Sequence, residues 1–171
     1  FIIHYMSYDI NDHDIHQGVV LLKIIKECSG IVSKDSLISF EQGTSKNSFL
    51  MKSTDDSYLY GIYIKYQRKN STPWVFSFAK EHQEEIAILE EYTSGVLVML
   101  VCGRDGIVCL TYEELKELLD DNFEDVEGIR IKRPLRGNYH LSGRDGKLSR
   151  TIKRSDLKDK VTNLILQKDN S

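Results

Sequence analysis

The chain has 171 residues, of which 40% are hydrophobic and 29% charged, the composition of an ordinary globular protein. At this length it buries roughly 70% of the surface its unfolded form exposes, so no disulfide framework is needed to hold it. The net charge of −3 selects no class of partner, and no apolar run approaches the roughly 20 residues of a membrane-spanning helix.

The first predicted element is a helix over residues 14–28, with Ile15, Val19, Leu22 and Ile25 as its apolar stripe. Asp14 with Gln17 forms its start and Gly30 its stop. Short strands follow at 36–40 and 48–52. The clearest strand is 58–66, with Tyr58, Tyr60, Ile62, Ile64 and Tyr66 on one face. Trp74, Phe76 and Phe78 alternate in a further strand, and 79–92 reads as a helix with Ile86 and Leu89 inward. Residues 95–102 are continuously apolar, the pattern of a strand covered on both faces. After a turn, 107–110 forms its hairpin partner. Thr111 and Glu114 make a capping box for a helix to Leu119. A basic antiparallel meander over 129–133, 139–142 and 147–152 follows. A helix from Ser155, with Leu157, Val161, Leu164 and Ile165 as its stripe, comes last. The expected fold is a single α+β domain over residues 1–171, with a mixed central sheet flanked by helices and a C-terminal antiparallel meander.

The three cysteines are expected to be buried thiols. Cys102 and Cys109 flank a turn, but a four-residue loop at 103–106 would pair Cys102 with Ile107. Residues 1–9 lack the basic region and long apolar stretch of a signal peptide. Together these favour a cytoplasmic address and no membrane. The Gly-Arg-Asp-Gly echo at 103–106 and 143–146 marks two hairpins and implies no common function.

Charge is unevenly placed. Residues 81–127 hold fourteen acidic and two basic side chains; residues 128–160 hold eleven basic and three acidic. Three readings stand. The basic segment offers a face to phosphates, or both segments are ordinary solvated surface, or the two faces meet each other in a self-association contact. Arg130, Lys132, Lys147 and Arg150 are the candidates for the basic face. Lys65, Arg68 and Lys69, beside Trp74, form a second candidate grip on a nucleic-acid strand, or Trp74 belongs to the core.

The order helix, three strands, helix, strand over residues 14–110 resembles the core of the restriction-endonuclease-like, PD-(D/E)XK nucleases. That family carries an acid on the second strand and Glu/Asp-x-Lys on the third. The resemblance implies Mg²⁺ held by the acids and a lysine that helps activate water. Lys65 in Gly61-Ile-Tyr-Ile-Lys65 matches the lysine, and Tyr63 stands where the acid belongs. Asp56 and Glu41 are the candidate acids before Lys65. Glu84 or Glu85 of the following helix is the candidate replacement for the acid missing at Tyr63. His13 and His16 with Asp12 and Asp14 have the density of a metal site but serve equally as helix-start residues. His82 is expected on a surface helix turn.

The function implied is a nucleic-acid-associated protein with a nuclease-like core, catalytically reduced, in prokaryotic-type defence or DNA processing. The competing reading is a non-catalytic module that docks a protein partner or a second copy through its charged faces.

Overall fold

The computed structural model describes residues 8–40 and 45–169. In chain order the elements are α1 (Asp12–Glu27), β1 (Leu37–Ser39), β2 (Ser48–Lys52), β3 (Leu59–Gln67), β4 (Trp74–Ala79) and α2 (Lys80–Tyr92). There follow β5 (Val96–Cys102), β6 (Gly106–Thr111), α3 (Tyr112–Leu118), β7 (Val126–Lys132), β8 (His140–Gly143) and α4 (Asp156–Asp169). The fold class is α+β, as expected.

A five-stranded mixed sheet, in the order β1-β2-β3-β5-β6, forms the centre. Strands β1, β2 and β3 are an antiparallel meander. β3 then runs parallel to β5, with Gly61 opposite Val96 and Gln67 opposite Cys102. All seven residues of β5 are buried, because both faces of this sheet are covered. On one face Tyr60, Ile62, Ile64, Leu97, Met99 and Val101 meet Val20 and Ile24 of α1 and Val161 and Ile165 of α4. On the other, Tyr63, Val98 and Leu100 meet α2, α3 and a second sheet. Helix α2 comes so close that a Cβ on Gly61 would lie 2.4 Å from Leu89 Cγ; glycine is required there for the contact.

The second sheet is antiparallel, in the order β4-β7-β8. β4 leaves the central sheet and pairs with β7 across residues 126–131. The third strand expected at 147–152 reduces to two isolated bridges, Tyr139 with Ile152 and Ser142 with Lys147. Trp74, Phe76, Phe78, Ile129, Ile131 and Leu141 turn inward and complete the core.

Three further expectations are corrected. The buried stripe of α1 is Gln17, Val20, Ile24 and Cys28, not Ile15, Val19 and Leu22, which are 51%, 40% and 50% exposed. Its N-cap is Asn11, whose side chain accepts from Asp14 N–H while Asp14 answers. The loop between β5 and β6 has three residues rather than four, since Cys102 pairs with Gly106. Its left-handed residue is Gly103, at φ +54°. Cys109 lies opposite Met99, so Cys102 has no path to it.

Truncating Leu100 to alanine in this fully buried strand is expected to cost about 2–5 kcal/mol in denaturant unfolding; an unchanged midpoint would contradict the strand's place. Cys28, Cys102 and Cys109 are buried free thiols. Burial pushes the Cys109 thiol up to about 12, against the nearby Lys160. All three should resist alkylation in the native protein at pH 8 and all three should react in denaturant, as counted by mass spectrometry.

Candidate functional site

Alternation along β3 puts Lys65 on the same face as Gly61 and Tyr63, towards α2. The apolar floor is Phe78, whose ring centroid lies 5.0 Å from Lys65 Nζ. Lys65 Nζ donates to His82 Nδ1 at 3.1 Å. The same nitrogen accepts Ala79 N–H at 3.2 Å, capping the first turn of α2. Because Nδ1 accepts, the ring proton is assigned to Nε2.

One turn further along α2, Glu85 faces the sheet. Its Oε2 accepts the Tyr63 hydroxyl at 2.7 Å and the Ser45 hydroxyl at 3.1 Å. Ser45 and Ser48 hydroxyls are 2.9 Å apart, and Asn47 Nδ2 reaches the Tyr63 oxygen at 3.4 Å. Tyr63 is fully buried. Burial first, then its bond to Glu85, push its phenol upward, so it is a neutral donor.

The environment shifts both bases in one direction. Burial brings the Lys65 ammonium down to about 8, opposed by the charge of Glu85. Burial and then Lys65 lower the imidazole of His82, while Glu85 and Glu81 pull it back. A lysine that titrates close to neutrality beside a neutral imidazole can exchange a proton or hold an anion.

Of the acids considered with Lys65, Glu85 is the one that joins it. Glu84 is exposed on α2. Asp56 sits in the exposed turn before β3, at φ 60°. Lys65 is six residues up the strand from Leu59, a run of about 20 Å, so Asp56 lies at the opposite end. Glu41 lies outside the described residues. β2 reads Ser-Phe-Leu-Met-Lys and brings Ser48, not an acid, opposite Tyr63. Among the described residues no group of three metal-ligating side chains includes Glu85, whose Oε2 is already occupied by two hydroxyls. This set does not fit Mg²⁺, which asks for several oxygen ligands in octahedral array.

The other candidates separate. Arg68 pairs with Asp12 of α1, and Lys69 Nζ donates to the Pro73 carbonyl at 3.1 Å. Trp74 is buried, and its indole N–H donates to the Lys69 carbonyl at 2.6 Å, so it offers no stacking surface. Arg130 and Lys132 are exposed on the outer face of the second sheet. Ser142 pairs with Arg130 and bridges Lys147; directly opposed residues share a face, so Lys147 joins them, with His140 opposite Lys132. Arg150 leaves this group: it donates to Glu114 at 3.3 Å and Glu117 at 3.0 Å on α3. His16 stacks on Tyr66 at 4.2 Å, with His13 tilted against the same ring. The two histidines seat α1 on β3 and are not part of a metal-ligand group among the described residues.

The contact between Lys65 and His82 was not anticipated from the sequence. A partial signal existed: His82 is the third residue of α2, at the position that caps back to Ala79.

The Lys65 shift has a testable sign. The unfolded lysine holds its proton to about 10.5 and the folded one to about 8. Between those values the unfolded chain binds more protons, so this residue's contribution to stability rises as pH is raised through that window. Titration of the lysine side chains by NMR should show one amine with a midpoint near 8 that disappears in Lys65→Met. In Glu85→Gln that midpoint should fall further. A Lys65 midpoint above 10 would refute the burial argument.

No helix of the described residues is long and apolar enough to cross a membrane. Compared with protein-family models, curated proteins and solved structures, the chain matches none.

Proposed function

We propose that the chain is a nucleic-acid-associated protein with a nuclease-like core, catalytically reduced, of the kind that serves prokaryotic-type defence or DNA processing in the cytoplasm. The observation that carries this reading is the seat of Lys65. It is on β3, the third strand of the central sheet, whose chain order is α1, β1, β2, β3, α2, β5 once β4, which joins the second sheet, is set aside, and Glu85 of α2 reaches the hydroxyl of Tyr63, where the resembling family has its acid. A single carboxylate with both Tyr63 and Ser45 hydroxyls on one oxygen favours an anion-binding remnant over a metal-dependent hydrolase. Lys65 would meet a phosphate by charge, and His82 would present Nε2–H beside it. The outer face of Arg130, Lys132 and Lys147 supplies a second cationic surface, suited to a phosphate backbone rather than to base reading.

The competing reading is a non-catalytic module that binds a protein partner or a second copy. In its favour is the exposed row Ile15, Val19 and Leu22 on α1. Against docking through whole charged faces is that Arg133, Arg144, Arg150, Arg154 and Lys160 of the basic segment pair with acids of residues 81–127 in the same chain.

Fluorescence anisotropy with duplex and single-stranded DNA separates the two. Binding should weaken with salt, and Arg130→Glu with Lys132→Glu and Lys147→Glu should lower the salt slope by about 0.9 per lost duplex contact. Arg150→Glu should leave that slope unchanged. Lys65→Met should weaken binding without changing solution mass, and Mg²⁺ or Mn²⁺ should produce no cleavage. Absence of DNA binding at low salt, with an oligomer that Val19→Glu dissolves, would overturn the nucleic-acid reading in favour of the interaction module.

A further inference from the structure

Strand β7 alternates inward and outward, with Ile129 and Ile131 buried and Arg130 and Lys132 exposed. Glu127 takes an inward position of that apolar row. It is 2% exposed, and neither of its carboxylate oxygens has water access or a hydrogen-bond partner among the described residues. A buried carboxylate with no partner is strongly disfavoured unless a proton or a cation completes it.

Two exposed acids converge on it. Asp120 follows the end of α3, and Asp145 is in the turn after β8. One oxygen from each of Asp120, Glu127 and Asp145 lies within 4.8 Å of the others. Backbone contacts fix the two exposed members. Asp120 N–H donates to Asp145 Oδ2 at 3.1 Å, Asn122 N–H donates to Asp120 Oδ1 at 2.8 Å, and Asp145 N–H donates to the Leu118 carbonyl at 3.1 Å. The turn can lie this close because it carries glycines: a Cβ on Gly143 would stand 2.2 Å from Leu118 O, and one on Gly146 2.1 Å from Glu117 O. The neighbouring cations are engaged elsewhere, Arg144 with Glu124 at 2.6 Å and Lys116 with Asp121 at 2.9 Å. None of these residues belongs to the Lys65 cluster.

We propose that Asp120, Glu127 and Asp145 form a binding site for a hard divalent cation of calcium size. Three carboxylate oxygens with no nitrogen or sulfur donor select such an ion over a transition metal. Ligands about 2.3–2.6 Å from one Ca²⁺ stand at most about 5 Å apart, whereas Mg²⁺ ligands at about 2.1 Å stand at most about 4.2 Å apart. The three oxygens all lie within 4.8 Å of one another, inside the limit for the shell of one Ca²⁺. Carbonyls at the end of α3 or water would supply the rest of the shell. The bound ion would tie three segments distant in sequence, the α3 end, β7 and the 143–146 turn, and would satisfy the one buried carboxylate that the protein leaves open there.

The test is calorimetric titration of the full chain with CaCl₂ and MgCl₂ at matched ionic strength, with melting temperature as a second readout. One Ca²⁺ per chain is expected, with a rise in melting temperature that EDTA reverses. Glu127→Gln, close in size to the native side chain, should weaken Ca²⁺ about tenfold or more. Asp145→Asn, at an exposed position, should do the same and carries the test if Glu127→Gln fails to fold. Asp121→Asn, whose side chain is 87% exposed and outside the trio, should bind as the parent does. No Ca²⁺ binding by about 5 mM, a loss in Asp121→Asn equal to that in Asp145→Asn, or Mg²⁺ binding as tight as Ca²⁺ would each overturn the proposal.

Discussion

Strands β3 and β5 run side by side in parallel, and β5 has no residue turned to water. A polar side chain buried on this pair must therefore find its partner inside the protein. Tyr63 and Lys65 are the two that face α2, and α2 answers each with one residue, Glu85 and His82, spaced three apart on one helix face. Gly61 allows Leu89 to close against the sheet, and this close approach brings the two polar pairs into contact. The candidate site is thus a consequence of how near the helix comes to the strand. A larger residue at 61 would lift α2 and open both contacts together.

Charge is settled within the chain by the same economy. Asp105, in the β5–β6 loop, receives Arg133 at 2.9 Å, Arg154 at 2.8 Å and the Tyr139 hydroxyl at 2.6 Å. Glu114 is buried, yet Lys160 at 2.7 Å and Arg150 at 3.3 Å surround it. Burial alone would raise the Glu114 carboxyl; its bonds to Lys160 and to the Thr111 N–H, with the charges of Lys160 and Arg150, outweigh that and hold it low. The acidic segment and the basic segment are therefore complementary parts of one surface. Arg130 and Lys132, exposed on the outer face of the second sheet, have no ion pair among the described residues and stand open to an external anion.

Elements with strong local patterns were legible in the sequence. The unbroken apolar run of β5, the alternation of β3 and the Thr111–Glu114 capping box needed no distant information, and all three stand where expected. The face of α1 was not legible. The helix carries two apolar stripes, Ile15-Val19-Leu22 and Val20-Ile24-Cys28, and only the positions of β3 and α4 decide which is buried. The same holds for β4: its alternation marks a strand but says nothing of its partner, and β7, some fifty residues on, supplies it. For the site, Lys65 and the pair Glu84 and Glu85 could be named from the sequence, but only the seating of α2 against β3, past the intervening β4, selects Glu85. The His82 contact required knowing that α2 begins directly above Lys65. Glu127 was open to inference from Glu127-x-Ile129-x-Ile131, in which the carboxylate takes an inward place in the row.

Stability alone gives no reason for the Lys65 cluster. A lysine over a phenylalanine ring, held down to about 8, is a charge kept where an apolar side chain of similar length would fit at no desolvation cost. Tyr63 and Glu85 form a similar case, since a phenylalanine and a leucine would fill the same space without a hydroxyl or a carboxylate to satisfy. Arg133, Arg150 and Arg154 each pair with a carboxylate of a distant segment, Asp105 or Glu114 and Glu117, and so act as ties between them. Lys65, His82 and Glu85 tie together elements already joined by Ile86, Leu89 and Tyr63. Titratable groups placed in a core that does not need them, with ammonium and imidazole both shifted towards neutral, are the arrangement a protein uses to meet a charged ligand, and the partial exposure of Lys65 and His82 leaves that ligand a way in.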